Sequence, residues 1–374
     1  MPDLAVIFGG PSPEHDVSVL TGLQAAHELA GAGTKVLALY WTKTGSWFSV
    51  PPELEGRDFA EGVPAGATPL RLVLGSEPGF KVAGGRLGRE RAVEIDVAVV
   101  CCHGGPGEDG ALQGVLDLAG IAYTGPSAAG AALGMDKLAF SALVGNEGLP
   151  VLPRQVLRPG LDPGFPGPYI VKPRFGGSSI GIEVVADLET ALAMAPHRAH
   201  WRAGAVVEPY RADLYDVQVA VRRWPALELS AFERPLRTPR AGGVAGEPEI
   251  LGYADKYVGG EGMASAPREL PASLPAATEA KLREAASRVA EAAMVRGVAR
   301  IDFLSDGTDF VVNEVNTIPG SLARYLWIDP PRRFGSLLAD MMGEARAVPT
   351  RSLSTSGADG TVLRGAGAIA AKLA

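Results

Sequence analysis

The chain has 374 residues, of which 47% are hydrophobic and 21% charged, and its formal net charge is -7. That length suits two or three packed units rather than one small domain. The charge argues against a nucleic-acid partner, which wants a basic face, and no apolar run approaches the roughly 20 residues that cross a bilayer.

Leu4 to Phe8 reads as a buried strand, with no basic stretch of a secretory leader before it. Asp16 to Ala30 has a helical pattern, and Lys35 to Trp41 and Ile95 to Cys101 read as further strands. This alternation predicts a parallel sheet covered by helices. Residues 51–94 are rich in Gly, Pro and turn formers and read as an excursion with little structural signal. Cys101 and Cys102 are the only cysteines, which fits a reducing cytoplasm. They could be imagined with His103 as metal ligands, but no second ligand cluster accompanies them and packing is the preferred reading.

Ala128 to Glu147 predicts a helix broken near Gly134. The pattern then turns β-rich, with strands expected over Tyr169 to Lys172, Ile182 to Val185, Val206 to Glu208, Asp216 to Arg223 and Leu227 to Glu233. Residues 235–257 read as a long loop of the kind used as a lid. Pro275 to Val295 reads as a helix, and Ala299 to Leu304 and Phe310 to Val315 as a hairpin. The tail after Gly343 is rich in Ala, Gly and Ser, and partial disorder is expected there.

Four segments carry chemistry. Gly9-Gly10-Pro11-Ser12-Pro13-Glu14-His15 follows a strand and opens a helix, where backbone N–H groups can face a ligand. It lacks the GxGxxG spacing of a dinucleotide site. Cys102-His103-Gly104-Gly105-Pro106-Gly107-Glu108-Asp109-Gly110 repeats the arrangement, and a glycine-rich turn is its plain alternative. Lys172-Pro173-Arg174-Phe175-Gly176-Gly177-Ser178-Ser179 delivers a lysine and then a flexible loop able to fold over phosphate oxygens, yet it is not a Walker A loop. Arg300-Ile301-Asp302 and Asn313-Glu314-Val315-Asn316 place Arg300 with Asp302, and Glu314 with Asn316, on shared strand faces. Two carboxylates and an amide suit Mg²⁺ that bridges nucleotide phosphates.

With Met135-Asp136-Lys137 and Asp255-Lys256-Tyr257, these segments resemble the ordered motif set of the D-alanine–D-alanine ligase family over roughly residues 4–342. The resemblance implies an α/β ATP-grasp fold: an N-terminal parallel-sheet domain (1–126), a central β-rich domain (127–208), a C-terminal domain with lid and metal site (209–345), and a tail (346–374). It implies an enzyme that joins two D-alanine molecules through an acyl phosphate for peptidoglycan precursor synthesis, with ATP and Mg²⁺, or Mn²⁺ in its place, as cofactors. A cytoplasmic homodimer acting on small amino-acid substrates is expected. Lys137, Lys172, Lys256 and the loop Gly176, Gly177, Ser178 and Ser179 would bind phosphates, with Glu208 at the adenine and Asp216 (or its rival Asp213) at the ribose. Asp302, Glu314 and Asn316 would hold the metal. Glu14 and His103 would face the donor, Ser178 and Tyr257 would link to Glu14, and Arg300 and the Gly320 amide would stabilise the tetrahedral intermediate.

One segment departs from the family. Ser321-Leu322-Ala323-Arg324-Tyr325 puts Tyr325 where a serine that holds the acceptor's carboxylate belongs. Arg324 and Tyr325 are therefore the expected acceptor residues, and the same ligation onto another amino acid or a hydroxy acid remains an alternative. A nicotinamide-dependent oxidoreductase using the Gly9-Gly10 turn leaves Asp302, Glu314 and Asn316 unexplained. An inactive ATP-binding module leaves the lysines and carboxylates unexplained.

Overall fold

The computed structural model describes residues 3–82, 90–236, 267–350, 354–367 and 369–372. Lys256, Tyr257 and nearly all of the expected lid lie outside the described residues.

Three sheets follow one another along the chain. In the first, Val36–Trp41, Asp3–Gly9, Ile95–Val100 and Ala122–Tyr123 run parallel in that spatial order. The helix His15–Gly31 packs on them through Val19, Leu23, Ala26 and Leu29. Parallel strands buried on both faces read as continuous apolar runs, which is why LAVIF and VAVV were legible.

The excursion is more regular than its composition suggests. Trp47–Val50, Thr68–Val73, Gly79–Val82 and Arg91–Ala92 extend the first sheet as an antiparallel meander. Its strands are short and partly exposed, so the alternation that marks a strand is weak there.

The second sheet has the spatial order Glu183–Val185, Tyr169–Pro173, Ala205–Pro209 and Gln155–Val156, all antiparallel. The third has the order Arg268–Glu269, Glu228–Pro235, Tyr215–Arg222, Val298–Ser305 and Phe310–Asn316, also antiparallel. Helix Ala276–Ala292 covers the third sheet with Leu282, Ala286 and Val289.

The predicted break near Gly134 falls at Asp136, between helices Ala128–Met135 and Lys137–Asn146. Asp136 adopts an extended backbone and caps the second helix, its Oδ1 accepting from Leu138 N at 3.0 Å and Ala139 N at 3.2 Å. Phe140 and Val144 of that helix join the core of the third sheet. Helix Phe334–Ala347 crosses back onto the first, where Leu337, Leu338 and Met341 are buried beside the parallel strands. No helix among the described residues is long and apolar enough to cross a membrane.

Candidate active site

The period-2 geometry of the third sheet lays a polar row across its strands. Cα register pairs Glu233 with Gln218, Gln218 with Asp302, and Asp302 with Glu314. Arg300 pairs with Asn316 in the adjacent row. Side chains in register share a sheet face, so the sequence-level pairing of Arg300 with Asp302, and of Glu314 with Asn316, becomes one surface. Asp302 is bound through both carboxylate oxygens by Arg300, with Nε–Oδ1 at 2.7 Å and Nη2–Oδ2 at 2.8 Å. Asn316 Nδ2 donates to Oδ2 at 3.1 Å.

This row faces the second sheet across a cleft. Lys137, Lys172, Gly176, Gly177, Ser179, Glu208, Asp216, Gln218, Asp302, Asn313 and Glu314 line it together. Lys172 and Glu314 therefore face one cavity from different sheets. Asp216 lines the cleft, whereas its rival Asp213 is bound to Arg211 on the exposed surface.

Buried charges in the cleft are paired. Glu208 is wholly buried between Arg154, 2.8 Å from Oε1, and Lys172, 2.9 Å from Oε2. Burial alone would push this carboxyl up, but the two cations prevail and bring it down to about 2. Lys137 is pulled below the usual lysine value by desolvation, against the nearby Glu314 carboxylate. Its ammonium donates to the Gly176 carbonyl. Asp136 also grips Arg174 (Nε–Oδ1 2.8 Å), and Lys137 N donates to Arg174 O at 3.1 Å. One capping residue thus fixes a helix N-terminus, a lysine of the cleft and the root of the glycine loop.

The surroundings of Glu14 are assembled from distant segments. Ser178 Oγ donates to Glu14 Oε1. Gly104 lies against that carboxylate with φ +62°, and a Cβ there would come within 2.3 Å of Glu14 Oε2. Ser18 Oγ accepts from Gly9 N and reaches the Cys101 carbonyl, each at 2.9 Å, holding the ends of two parallel strands together.

His103 does not present a nitrogen to a ligand. Its Nδ1 lies 2.7 Å from the Ile318 carbonyl and must donate to it, so neutral Nε2 accepts from Thr21 Oγ1 at 2.8 Å. Burial brings the ring down to about 4, which keeps it neutral near pH 7. Glu108 accepts from Gly104 N (2.9 Å), Thr317 Oγ1 (3.2 Å) and Ile318 N (3.0 Å). Burial, with Glu14 nearby, pushes Glu108 up to about 7. Ser321 N donates to Thr21 Oγ1 at 3.0 Å. His103 and Glu108 thus hold Thr317 and Ile318, in the segment that leads from the last strand to Gly320, a contact the sequence reading missed for both. Cys101 and Cys102 are buried free thiols, and burial pushes Cys102 up to about 12.

After Gly320, Ser321, Leu322 and Ala323 all have φ near +50°, a left-handed turn that costs non-glycine residues roughly 1–2 kcal/mol each. Leu322 and Ala323 are buried in the first core, which over-determines the strained backbone. The turn separates the two expected acceptor residues. Arg324 is exposed, with its guanidinium 5.7 Å from the Phe334 ring centroid, and does not point into the site. Tyr325 turns inward beside Arg268, whose guanidinium lies 4.7 Å from the phenol ring centroid.

Among the described residues no group of three or more His, Cys, Asp or Glu gathers as a metal cage. Asp302, Glu314 and Asn316 fit a divalent ion by chemistry, being two carboxylates and an amide on one hairpin face beside the cleft.

The model of the D-ala D-ala ligase N-terminus matches residues 3–126, and that of the C-terminus residues 163–338. A D-alanine–D-alanine ligase of Methylobacterium sp. (strain 4-46) is 32% identical over 385 residues, covering 96% of each chain. One from Nocardia farcinica is 32% identical over 370 residues, 92% of this chain and 97% of that one. Among solved structures, the VanG D-Ala:D-Ser ligase from Enterococcus faecalis superposes with a TM-score of 0.73 at 24% identity, over 92% of this chain and 99% of that one. The fold, the cleft and the matched segments agree, and this chain belongs to the D-alanine–D-alanine ligase family, ATP-dependent carbon–nitrogen ligases of ATP-grasp fold.

Proposed function

We propose that the protein joins two D-alanine molecules, using ATP, to supply a peptidoglycan precursor. The observation that carries this reading is the convergence of Lys137, Lys172, Asp302 and Glu314 on one cleft, with Arg300 bound to Asp302 and Ser178 of the glycine loop bound to Glu14.

The donor's ammonium sits by Glu14, which Ser178 orients. Its carboxylate oxygen attacks the γ-phosphorus of ATP, and the bond to the ADP oxygen breaks. Lys137 and Lys172 neutralise phosphate charge, so the protein's work in this step is positioning and electrostatics. Lys172 is already held by Glu208, which keeps its ammonium aimed into the cleft before nucleotide arrives. A divalent ion, Mg²⁺ by preference, held by Asp302, Glu314 and Asn316, would supply charge neutralisation on the transferring phosphoryl group.

The acceptor amine, having lost a proton, then forms a bond to the acyl carbon, and inorganic phosphate leaves. Arg300 and the Gly320 N–H face the developing oxyanion, the kind of donor whose removal costs ~10²–10³-fold in rate. Asp302 fixes the Arg300 guanidinium in its plane for that task.

The reading places domain limits at 126, 208 and 345, with helices Lys137–Asn146 and Phe334–Ala347 packed across them. It also includes a homodimer in the cytoplasm. Incubation with ATP, Mg²⁺ and D-alanine should release ADP and give D-alanyl-D-alanine. ADP release that does not depend on D-alanine would overturn the reading.

A further inference from the structure

Lys137 and Lys172 have a buried cationic neighbour beside the cleft. Arg154 lies on the stretch that leads from helix Lys137–Asn146 to the strand Gln155–Val156, and its side chain is only 3% exposed. There the chain passes from the core of the third sheet, which holds Phe140 and Val144, to the edge of the second sheet. The guanidinium spans that junction. Nη1 donates to the Lys137 carbonyl, and Nη2 donates at 3.3 Å to the carbonyl of Asn313, in the last strand of the third sheet. Nε lies 2.8 Å from Oε1 of Glu208, in the second sheet.

Glu208 is thus held from two sides, by Arg154 at Oε1 and by Lys172 at Oε2. Lys172 also reaches Asn313 Oδ1 at 3.4 Å, so one residue of the third sheet steadies both cations. A carboxylate has about four lone-pair sites, and two cations do not exhaust them. Around it Leu152, Ile170, Ile182, Leu214 and Leu304 line the cleft with apolar surface. An apolar slot with one fixed carboxylate suits a flat ring that carries an amino group. Ionised, the carboxylate can only accept. It therefore attracts a ring amino group and repels a ring carbonyl at the same position. With one cation removed, burial favours the neutral acid, which can donate to a carbonyl.

We propose that Arg154 makes Glu208 the base-selecting group of the cleft, fixing it as a hydrogen-bond acceptor so that a purine with a 6-amino group is bound and one with a 6-carbonyl is rejected. Arg154 does not touch the base; it is a positioning residue that acts through Glu208. Its bonds to Lys137 and Asn313 tie that selection to the strand that carries Glu314, so one frame places both ends of a nucleotide. The proposal rests on the ligase reading for the presence of a nucleotide in the cleft.

Equilibrium titration of the purified full-length protein with ATP and with inosine triphosphate reads the selection directly, with Mg²⁺ present and D-alanine absent. The two nucleotides differ at the 6-position of the ring. Wild type should prefer ATP by about 100-fold or more. Arg154→Met should weaken ATP by about 10–100-fold and inosine triphosphate by less than about threefold, leaving a preference under about tenfold. Arg154→Lys should restore part of it. Glu208→Gln should lose the same preference, and Arg154→Met should add little to that loss. Hydroxylamine traps an acyl phosphate as a hydroxamate, and the D-alanine KM in that assay should stay within about twofold of wild type in Arg154→Met. Equal weakening of both nucleotides, or unchanged ATP affinity, overturns the proposal, as does wild type that binds the two alike. If Arg154→Met does not fold, Arg154→Lys and Glu208→Gln decide it by the same ratio. Wild-type protein that binds neither nucleotide, or forms no hydroxamate, overturns the ligase reading itself.

Discussion

Two loops of the site share an unusual backbone and hold it by different means. Ser178 and Ser179 of the glycine loop, like Ser321, Leu322 and Ala323 of the turn after Gly320, lie in the left-handed region. The glycine loop is half-buried and tied down by polar contacts, among them Lys137 to the Gly176 carbonyl and Ser178 to Glu14. The turn is pinned by Leu322, Ala323 and Leu326 inside a hydrophobic core. Polar ties can be exchanged for those of a nucleotide, whereas core packing cannot be exchanged for anything in solution. On the proposed roles, a loop that closes over phosphate and an amide that stays aimed at one carbonyl receive different anchors.

The largest effect should come from cutting the packed anchor. Leu322→Ala should cost ~2–5 kcal/mol of stability in urea unfolding. Ser178→Ala should cost under ~1.5 kcal/mol while impairing turnover. Equal losses would abolish the distinction between the loops.

The next concerns the bridge that aims the turn. Glu108 has its folded value raised from 4.5 to about 7, so its neutral form is favoured on folding. That contribution is full below about pH 4.5 and lost as pH rises through about 7. It amounts to about 3 kcal/mol at most. Across that window the stability of wild type minus that of Glu108→Gln should fall as pH rises; a flat difference would remove Glu108 from the account. His103 runs the other way. Its folded value is depressed to about 4, so its contribution is present above about 6.5 and lost as pH falls through about 4.

Gly104→Ala should displace Glu14, because the added Cβ meets its carboxylate and the backbone is left-handed. A loss of ~1–3 kcal/mol in kcat/KM is expected, read mainly in hydroxamate formation from the donor, with ATP KM little changed. Ala323→Gly should be the mildest, within ~1 kcal/mol of wild type and of either sign, since glycine tolerates the left-handed backbone but frees the unfolded chain. A large destabilisation would mean that the Ala323 methyl, not the backbone, sets the turn.

What the sequence disclosed follows the same division. The alternation in Arg300-Ile301-Asp302 and Glu314-Val315-Asn316 was readable because strand period alone puts those side chains on one face. The parallel strands were readable as unbroken apolar runs. Residues 51–94 hid a meander because short, half-exposed strands leave little alternation. His103 looked like a donor ligand because nothing local shows that Ile318 and Thr21 saturate it. Arg268 sits in a two-residue strand with no periodic signal, and its contact with Tyr325 arises only on folding. Arg324 was chosen for being adjacent to Tyr325, and a left-handed turn turned it outward.

The bonds from His103 and Glu108 to Ile318 span 215 and 210 positions of chain. Closing so long a loop is entropically modest but kinetically late. On the ribosome the first sheet can form well before Gly320 has been synthesised, and the second and third sheets can form their own hydrogen bonds without the first. The Gly320 amide acquires its aim only when both ends of the chain have met. A partly folded chain able to grip nucleotide would still lack the surface that turns an activated carboxylate into product. On the role proposed for Gly320, ligation begins only once the fold is complete.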